Sequence, residues 1–323
     1  MDTKTASPFG GRIIKLATRQ KAFIAIIAML VVMIFFDTKF YTVYNLLDLL
    51  KSASINEIFA FGVTLTIICG GCDLSIGGTM GLAGIVTVML IDHMPIPFAI
   101  ICGLGLGAFI GFINGFFVVH QKTEPFIITL GMGMLLKGIS QQLTDAHPIS
   151  SKNPNFMMIG NGKAGVVPNL VIIMIIVMLI MYYILRYTQF GRNCYAIGGD
   201  YDVAVYSGIN AVRIKWAAYV ICGITAALGG ILLSARLNSG SSNYGDTTAL
   251  MVNCGVVVGG TSFAGGIGGI FQSAIGILVF SVLENCLNML GIDAYIQQVF
   301  KGVVIVSIIW LDCFGRKRKR EVV

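Results

Sequence analysis

The chain has 323 residues, of which 56% are hydrophobic and only 11% charged, and its mean hydropathy is +0.85. A soluble domain carries about 25% charged residues, so this composition cannot furnish a water-facing surface, and lipid must replace most of the solvent. The net charge of +7 does not point to nucleic acid, because the basic residues gather at both ends and in one internal loop, the pattern that sets membrane topology.

In chain order, Lys4, Arg12, Lys15, Arg19 and Lys21 precede the first apolar run. No small-residue cleavage site follows Phe36, so that run reads as a retained span rather than a signal peptide. Apolar segments at about 22–36, 53–71, 74–91, 97–119, 126–142, 168–185, 216–234, 249–264, 267–283 and 299–314 follow. They predict an all-α, polytopic membrane helix bundle of about ten transmembrane helices. The glycine-rich stretches 69–84 and 255–269 predict broken or re-entrant helices. An even span number puts both termini on one side, and fifteen of the twenty-two Lys and Arg residues then fall there, which makes that side cytoplasmic.

The division that follows is a basic N-terminal segment over 1–21, one membrane domain over 22–314 and a basic tail over 315–323. Only two loops have any size, an outer one at about 143–167 and an inner one at about 186–215. Gly77 and Gly78 in the first half echo Gly259 and Gly260 in the second, each pair followed by an apolar span, as in an internal repeat.

Catalytic signatures are missing from the sequence. The Gly162-Lys163 pair is followed by Ala164, whereas a phosphate-cradling loop needs Ser or Thr there. His93, His120 and His147 lie in separate loops, and Cys69 and Cys72 have no second pair nearby, so neither a metal site nor a nucleophilic triad is expected. The eight cysteines lie mostly in apolar runs, where a thiol serves as a small apolar group, and no disulfide framework is indicated. Gly103, Gly105, Gly107 and Ala108 form a nominal dinucleotide fingerprint, but inside an apolar span rather than after a strand.

Polar groups within the spans carry more information. Asp73 is the only acid between Ile58 and Ile91. A carboxylate in hydrocarbon must find protein, water or a helix start, so it is expected either to cap the next helix or to stand beside a translocation path. Gly103, Gly107, Gly111 and Gly115 recur every fourth residue and predict close helix packing, with Asn114 beside that stripe either bridging helices or facing a polar path. In the inner loop, Asp200 and Gly208 are placed to open and close a helix of about two turns that displays small and aromatic side chains, a surface suited to a docking partner.

At this loop the chain resembles the membrane-spanning permeases of bacterial sugar importers driven by ATP-binding cassettes, the ribose, galactose, allose and xylose type. The motifs that carry it are Asp73-Leu74-Ser75-Ile76-Gly77, Asn114-Gly115, Pro125-Phe126-Ile127-Ile128-Thr129-Leu130-Gly131, Gly191-Arg192-Asn193, Gly198-Gly199, Ser207-Gly208-Ile209, Ala235-Arg236-Leu237 and Val258-Gly259-Gly260-Thr261-Ser262-Phe263. The chain departs from the family at Asp200, where Asn is usual, and at Tyr201, Asp202 and Val203, where Pro-Glu-Ala is usual.

The resemblance implies a ten-helix permease of the bacterial inner membrane, paired with a second copy or a related chain and supplied by an extracytoplasmic sugar-binding protein. It carries Asp73, Ser75, Asn114 and Thr129 into the translocation path or its helix break. It carries Gly198, Gly199, Asp200, Ala204, Ser207 and Gly208 into the loop that couples to the ATPase subunits. This chain would then bind no cofactor and catalyse nothing, with ATP and Mg held by the partner ATPase. The rival reading is an ion-coupled secondary carrier of a small neutral solute, which needs intramembrane acids, and Asp73 is the candidate the sequence offers.

Overall fold

The structure, a computed structural model, describes residues 21–320. The basic residues from Lys4 to Arg19 therefore lie outside the described residues. Helices occupy every apolar segment: α1 (Lys21–Phe36), α2 (Val43–Ile68), α3 (Ile76–Ile91), α4 (Ile96–Gly115), α5 (Pro125–Thr144), then the short α6 (Pro154–Asn161), α7 (Asn169–Tyr187), the short α8 (Gln189–Gly199) and α9 (Tyr201–Tyr206), α10 (Ala211–Leu237), α11 (Thr248–Val258), α12 (Ile270–Met289) and α13 (Ala294–Arg320). Five of them, α4 with its π-helical extension to His120, α5, α7, α10 and α12, are long and apolar enough to cross a membrane. The all-α polytopic class holds.

Several boundaries differ from the hydropathy pattern, each for a local reason. Helix α2 starts ten residues earlier than expected, because Thr42 caps it by accepting from the Asn45 amide at 3.4 Å, and the polar Asp48 and Lys51 lie in its first turns. Helix α11 ends at Val258, since Gly260, Gly265, Gly266 and Gly268 all take positive φ (+114°, +86°, +70° and +150°) and break the chain before α12. The last helix runs on to Arg320 and so includes the basic residues Arg316 to Arg320.

Helix α10 is the axis of the bundle. It packs against α4, α2 and α3, and the approach is close because the facing residues lack side chains. A Cβ at Gly107 would lie 2.4 Å from the Gly223 carbonyl oxygen, one at Gly111 2.3 Å from that of Tyr219, and one at Gly115 2.3 Å from the Trp216 ring. The fourfold glycine spacing is thus a packing seam between α4 and α10. Apolar clusters on either side of α2, one including Ile58, Val63 and Val252 and the other Phe61, Leu65 and Met181, complete the core.

Helices α7 and α10 join two ends of the bundle. At one end, strands β1 (Ile149–Ser150) and β4 (Ser239–Gly240) pair antiparallel with Ile149 opposite Gly240, and β2 (Lys163–Ala164) pairs with β3 (Val167–Pro168) in a hairpin. At the other end lie α8 and α9. The two glycine-rich stretches fall between α2 and α3 and between α11 and α12.

Candidate functional site

Between α2 and α3 the helix is interrupted over Cys69–Ser75, with Gly70 at φ +75°. An interruption inside a membrane bundle frees backbone groups that lipid cannot satisfy; here side chains of three other helices bond them, and a fourth helix bonds the Ser75 hydroxyl. Thr129 of α5 accepts from the Leu74 amide at 3.0 Å and donates to the Pro125 carbonyl at 2.7 Å. Asn253 of α11 donates to the Asp73 carbonyl at 3.0 Å, and Tyr219 of α10 donates to the Cys72 carbonyl at 3.1 Å. Asn114 of α4 donates to Ser75 Oγ at 2.7 Å, and Ser75 in turn donates to Asp73 Oδ1 from its hydroxyl at 2.7 Å and its amide at 2.8 Å.

The structure therefore brings Asp73, Ser75, Asn114 and Thr129 together on one joint, and all four are buried. Ser75, not Asp73, is the residue that precedes α3, and Asp73 braces it from two positions back. Asn253 and Tyr219 belong to the same joint although nothing marked them in the sequence; each lies on a helix whose other neighbours are apolar, the signal that a buried polar group has a partner to meet.

Beside the joint opens a cleft of about 450 Å³, within the size range of small-molecule sites. Its floor is backbone: a Cβ at Gly77 would lie 2.3 Å from the Gly245 carbonyl oxygen, and one at Gly78 would lie 2.7 Å from that of Gly133. Leu130, Met134 and Lys137 of α5 form one wall, and Ser242, Asp246 and Thr247 form the opposite one. Lys137 Nζ and Asp246 Oδ1 meet at 2.7 Å across it.

Helices α8 and α9 form the second candidate region. Asp200 caps α9 by accepting from the Val203 amide at 3.0 Å, and Gly208, at φ +83°, ends it with the Ile209 amide returning to the Ala204 carbonyl at 3.1 Å, a Schellman closure. Ala204 is buried against Ile197 and Ala211, whereas Gly199, Asp200, Ser207 and Gly208 are exposed. Tyr201, Val203 and Tyr206 project outward, Tyr206 at 89% exposure.

Gly198 points the other way. A Cβ there would stand 1.7 Å from the Ile68 carbonyl oxygen, the same carbonyl that accepts from the Gly266 amide at 2.9 Å. Tyr195 adds a bond from its hydroxyl to the Gly268 carbonyl at 2.7 Å; burial raises its phenol above the ordinary value although Arg186 pulls the other way, which keeps the hydroxyl a donor. So α8 is fastened both to the end of α2 that leads into the Asp73 joint and to the glycine-rich stretch before α12.

One buried acid is not marked by the hydropathy pattern. Glu57 lies within α2 and is only 3% exposed, and no ion pair among the described residues reaches it. Its neighbours in sequence, Asn56 and the apolar Ile58 to Val63, marked it as the start of a span rather than as a buried group. Among the described residues no three His, Cys, Asp or Glu side chains gather closely enough to hold a metal ion.

Comparison with known proteins places these features in context. A protein-family model described as "Branched-chain amino acid transport system / permease component" matches residues 45–309. The ribose import permease protein of Escherichia coli K12 is 37% identical over 298 residues, covering 91% of this chain and 93% of that protein. The ribose import permease protein of Bacillus subtilis is 36% identical over 293 residues, covering 90% and 91%, and the galactose/methyl galactoside import permease protein of Salmonella typhimurium is 30% identical over 318 residues, covering 92% and 95%. No solved structure matches.

Proposed function

The chain belongs to the family of transport-system permease components matched over 45–309, and from that premise we propose that it forms the translocation path of an ATP-driven monosaccharide importer. The observation that carries the reading is the end-to-end similarity to ribose and galactose import permeases, over at least nine tenths of this chain. That similarity favours a sugar over the branched-chain amino acid in the family's description, and an importer permease over an ion-coupled carrier.

In this reading the ten apolar segments each traverse the inner membrane, both termini are cytoplasmic, and two permease chains, identical or related, enclose the path. ATPase subunits supply the energy and hold ATP and Mg, and an extracytoplasmic binding protein supplies the sugar. The α8–α9 unit faces the ATPase: its exposed ridge of Tyr201, Val203 and Tyr206 offers apolar contact, while Gly198 ties the unit to α2. A push on α9 is then delivered through the Ile68 carbonyl to the joint at Asp73, Ser75, Asn114 and Thr129. The absence of a Gly-Lys-Ser/Thr loop from the sequence fits a subunit that is moved by its partners.

The test is reconstitution. With an ATPase subunit and a solute-binding protein encoded beside it, the chain should support ATP-dependent uptake of D-ribose or D-galactose into proteoliposomes. Uptake that continues without ATP and collapses with an ion gradient would overturn the reading in favour of a secondary carrier.

A further inference from the structure

The cleft beside the joint has only two charged residues in its lining, Lys137 and Asp246, and they neutralise each other at 2.7 Å. Each belongs to a different wall. Leu130, Gly133, Met134 and Lys137 fall on one face of α5 at three- and four-residue spacing, while Asp246 follows Gly245, whose backbone is pressed onto Gly77 at the start of α3, where an added Cβ would come within 2.0 Å of the Gly77 carbonyl oxygen. Both walls are anchored to the same short stretch of chain: α5 through the bond from the Leu74 amide to Thr129, and the opposite wall through Gly245 on Gly77. A change in the joint therefore alters the separation of Lys137 and Asp246.

We propose that the Lys137–Asp246 ion pair is a sugar-contacting clasp in the translocation path, parting to take hydroxyl groups of a neutral monosaccharide and closing again behind it. The inference rests on the permease reading above and names residues within it. The side chains are 38% and 44% exposed, so the pair is held by little net energy and opens readily. A hydroxyl both donates and accepts, so one sugar satisfies both partners: Asp246 accepts from one hydroxyl and Lys137 donates to another, with no charge left over. An ionic solute would leave one partner unmatched in a cleft whose other lining residues are all uncharged. Ser242, Thr247 and Gln298 supply further neutral donors and acceptors along the same cleft.

The experiment uses the complete importer in proteoliposomes, with D-ribose and D-galactose as probes. Lys137→Met and Asp246→Asn should each lower uptake of the transported sugar by about tenfold, the worth of one hydrogen bond to a charged group, in complexes that still co-purify intact. In a background lacking native cysteines, Lys137→Cys should react with a small hydrophilic maleimide, and a saturating concentration of that sugar should slow the reaction several-fold, an effect that a purely structural ion pair would not produce. Where a single variant fails to assemble, the charge-preserving Lys137→Arg and Asp246→Glu decide: a raised KM supports the clasp, and an unchanged KM overturns it. Uptake within twofold of wild type in both neutral variants, or labelling at the same rate with and without sugar, overturns the clasp alone. Absence of uptake by the wild-type complex overturns the permease reading and the clasp with it.

Discussion

Ser75 stands between two buried partners, accepting from Asn114 and donating twice to Asp73, and that chain explains why three polar residues persist in an apolar bundle. Each satisfies a group that would otherwise face hydrocarbon, and an unmade buried bond costs about 1–3 kcal/mol. Asp73→Asn keeps an oxygen for the Ser75 amide, whereas Asp73→Leu leaves both the amide and the hydroxyl without an acceptor. The leucine variant should therefore lose about 1–3 kcal/mol more stability than the asparagine variant, measured as a larger fall in Tm of the detergent-solubilised protein. Equal Tm values would mean that the carboxyl oxygen does not hold the joint. The sequence singled out Asp73 and Asn114 as costly polar groups, but it left open whether they capped, bridged or lined a path, because that depends on which helix faces which. Lys137 and Asp246 show the same limit: their types were plain, and their pairing follows from the Gly77–Gly245 contact, which spacing along the chain does not contain.

At the scale of elements, the α8–α9 unit was legible because its punctuation is local. Asp200 accepts from an amide three residues on and Gly208 adopts positive φ, both properties of a short window of chain. Its attachment was not legible, since Gly198 and Gly199 are adjacent and identical in type yet face opposite ways. Their difference gives a sharp contrast. Gly198→Ala places a methyl 1.7 Å from the Ile68 carbonyl oxygen and must push α8 off α2, whereas Gly199→Ala meets nothing within 4 Å. In the reconstituted importer the first substitution should abolish the stimulation of ATP hydrolysis by loaded binding protein, and the second should leave it near wild type. Equal stimulation in both variants would show that the Gly198 contact does not transmit force. The broken helices follow the same division: glycine clusters announced interruptions near 70 and 260, but the side chains that make the first one tolerable come from α4, α5, α10 and α11.

For the molecule as a whole, charge and hydropathy imply a ten-span topology that side-specific labelling can check. In a cysteine-free background, Lys163→Cys in the β2–β3 hairpin should react with a membrane-impermeant maleimide added to intact cells, and Ser207→Cys at the end of α9 should react only after the membrane is opened; both positions are exposed. The reverse pattern would invert the molecule and remove α9 from the ATPase. By itself the sequence determined the solvent, the helical class, the positions of the apolar helices and the caps of α9, because burial in lipid, hydrophobic length and helix termination are each encoded within a few to a few tens of consecutive residues. Only the tertiary structure decided that Asp73, Ser75, Asn114 and Thr129 meet on one joint, that Gly198 fastens α8 to α2, and that Lys137 faces Asp246 across a cleft. Those arrangements depend on how closely glycine-lined helices approach and which faces they turn to one another, and that is set by packing between segments far apart in the chain.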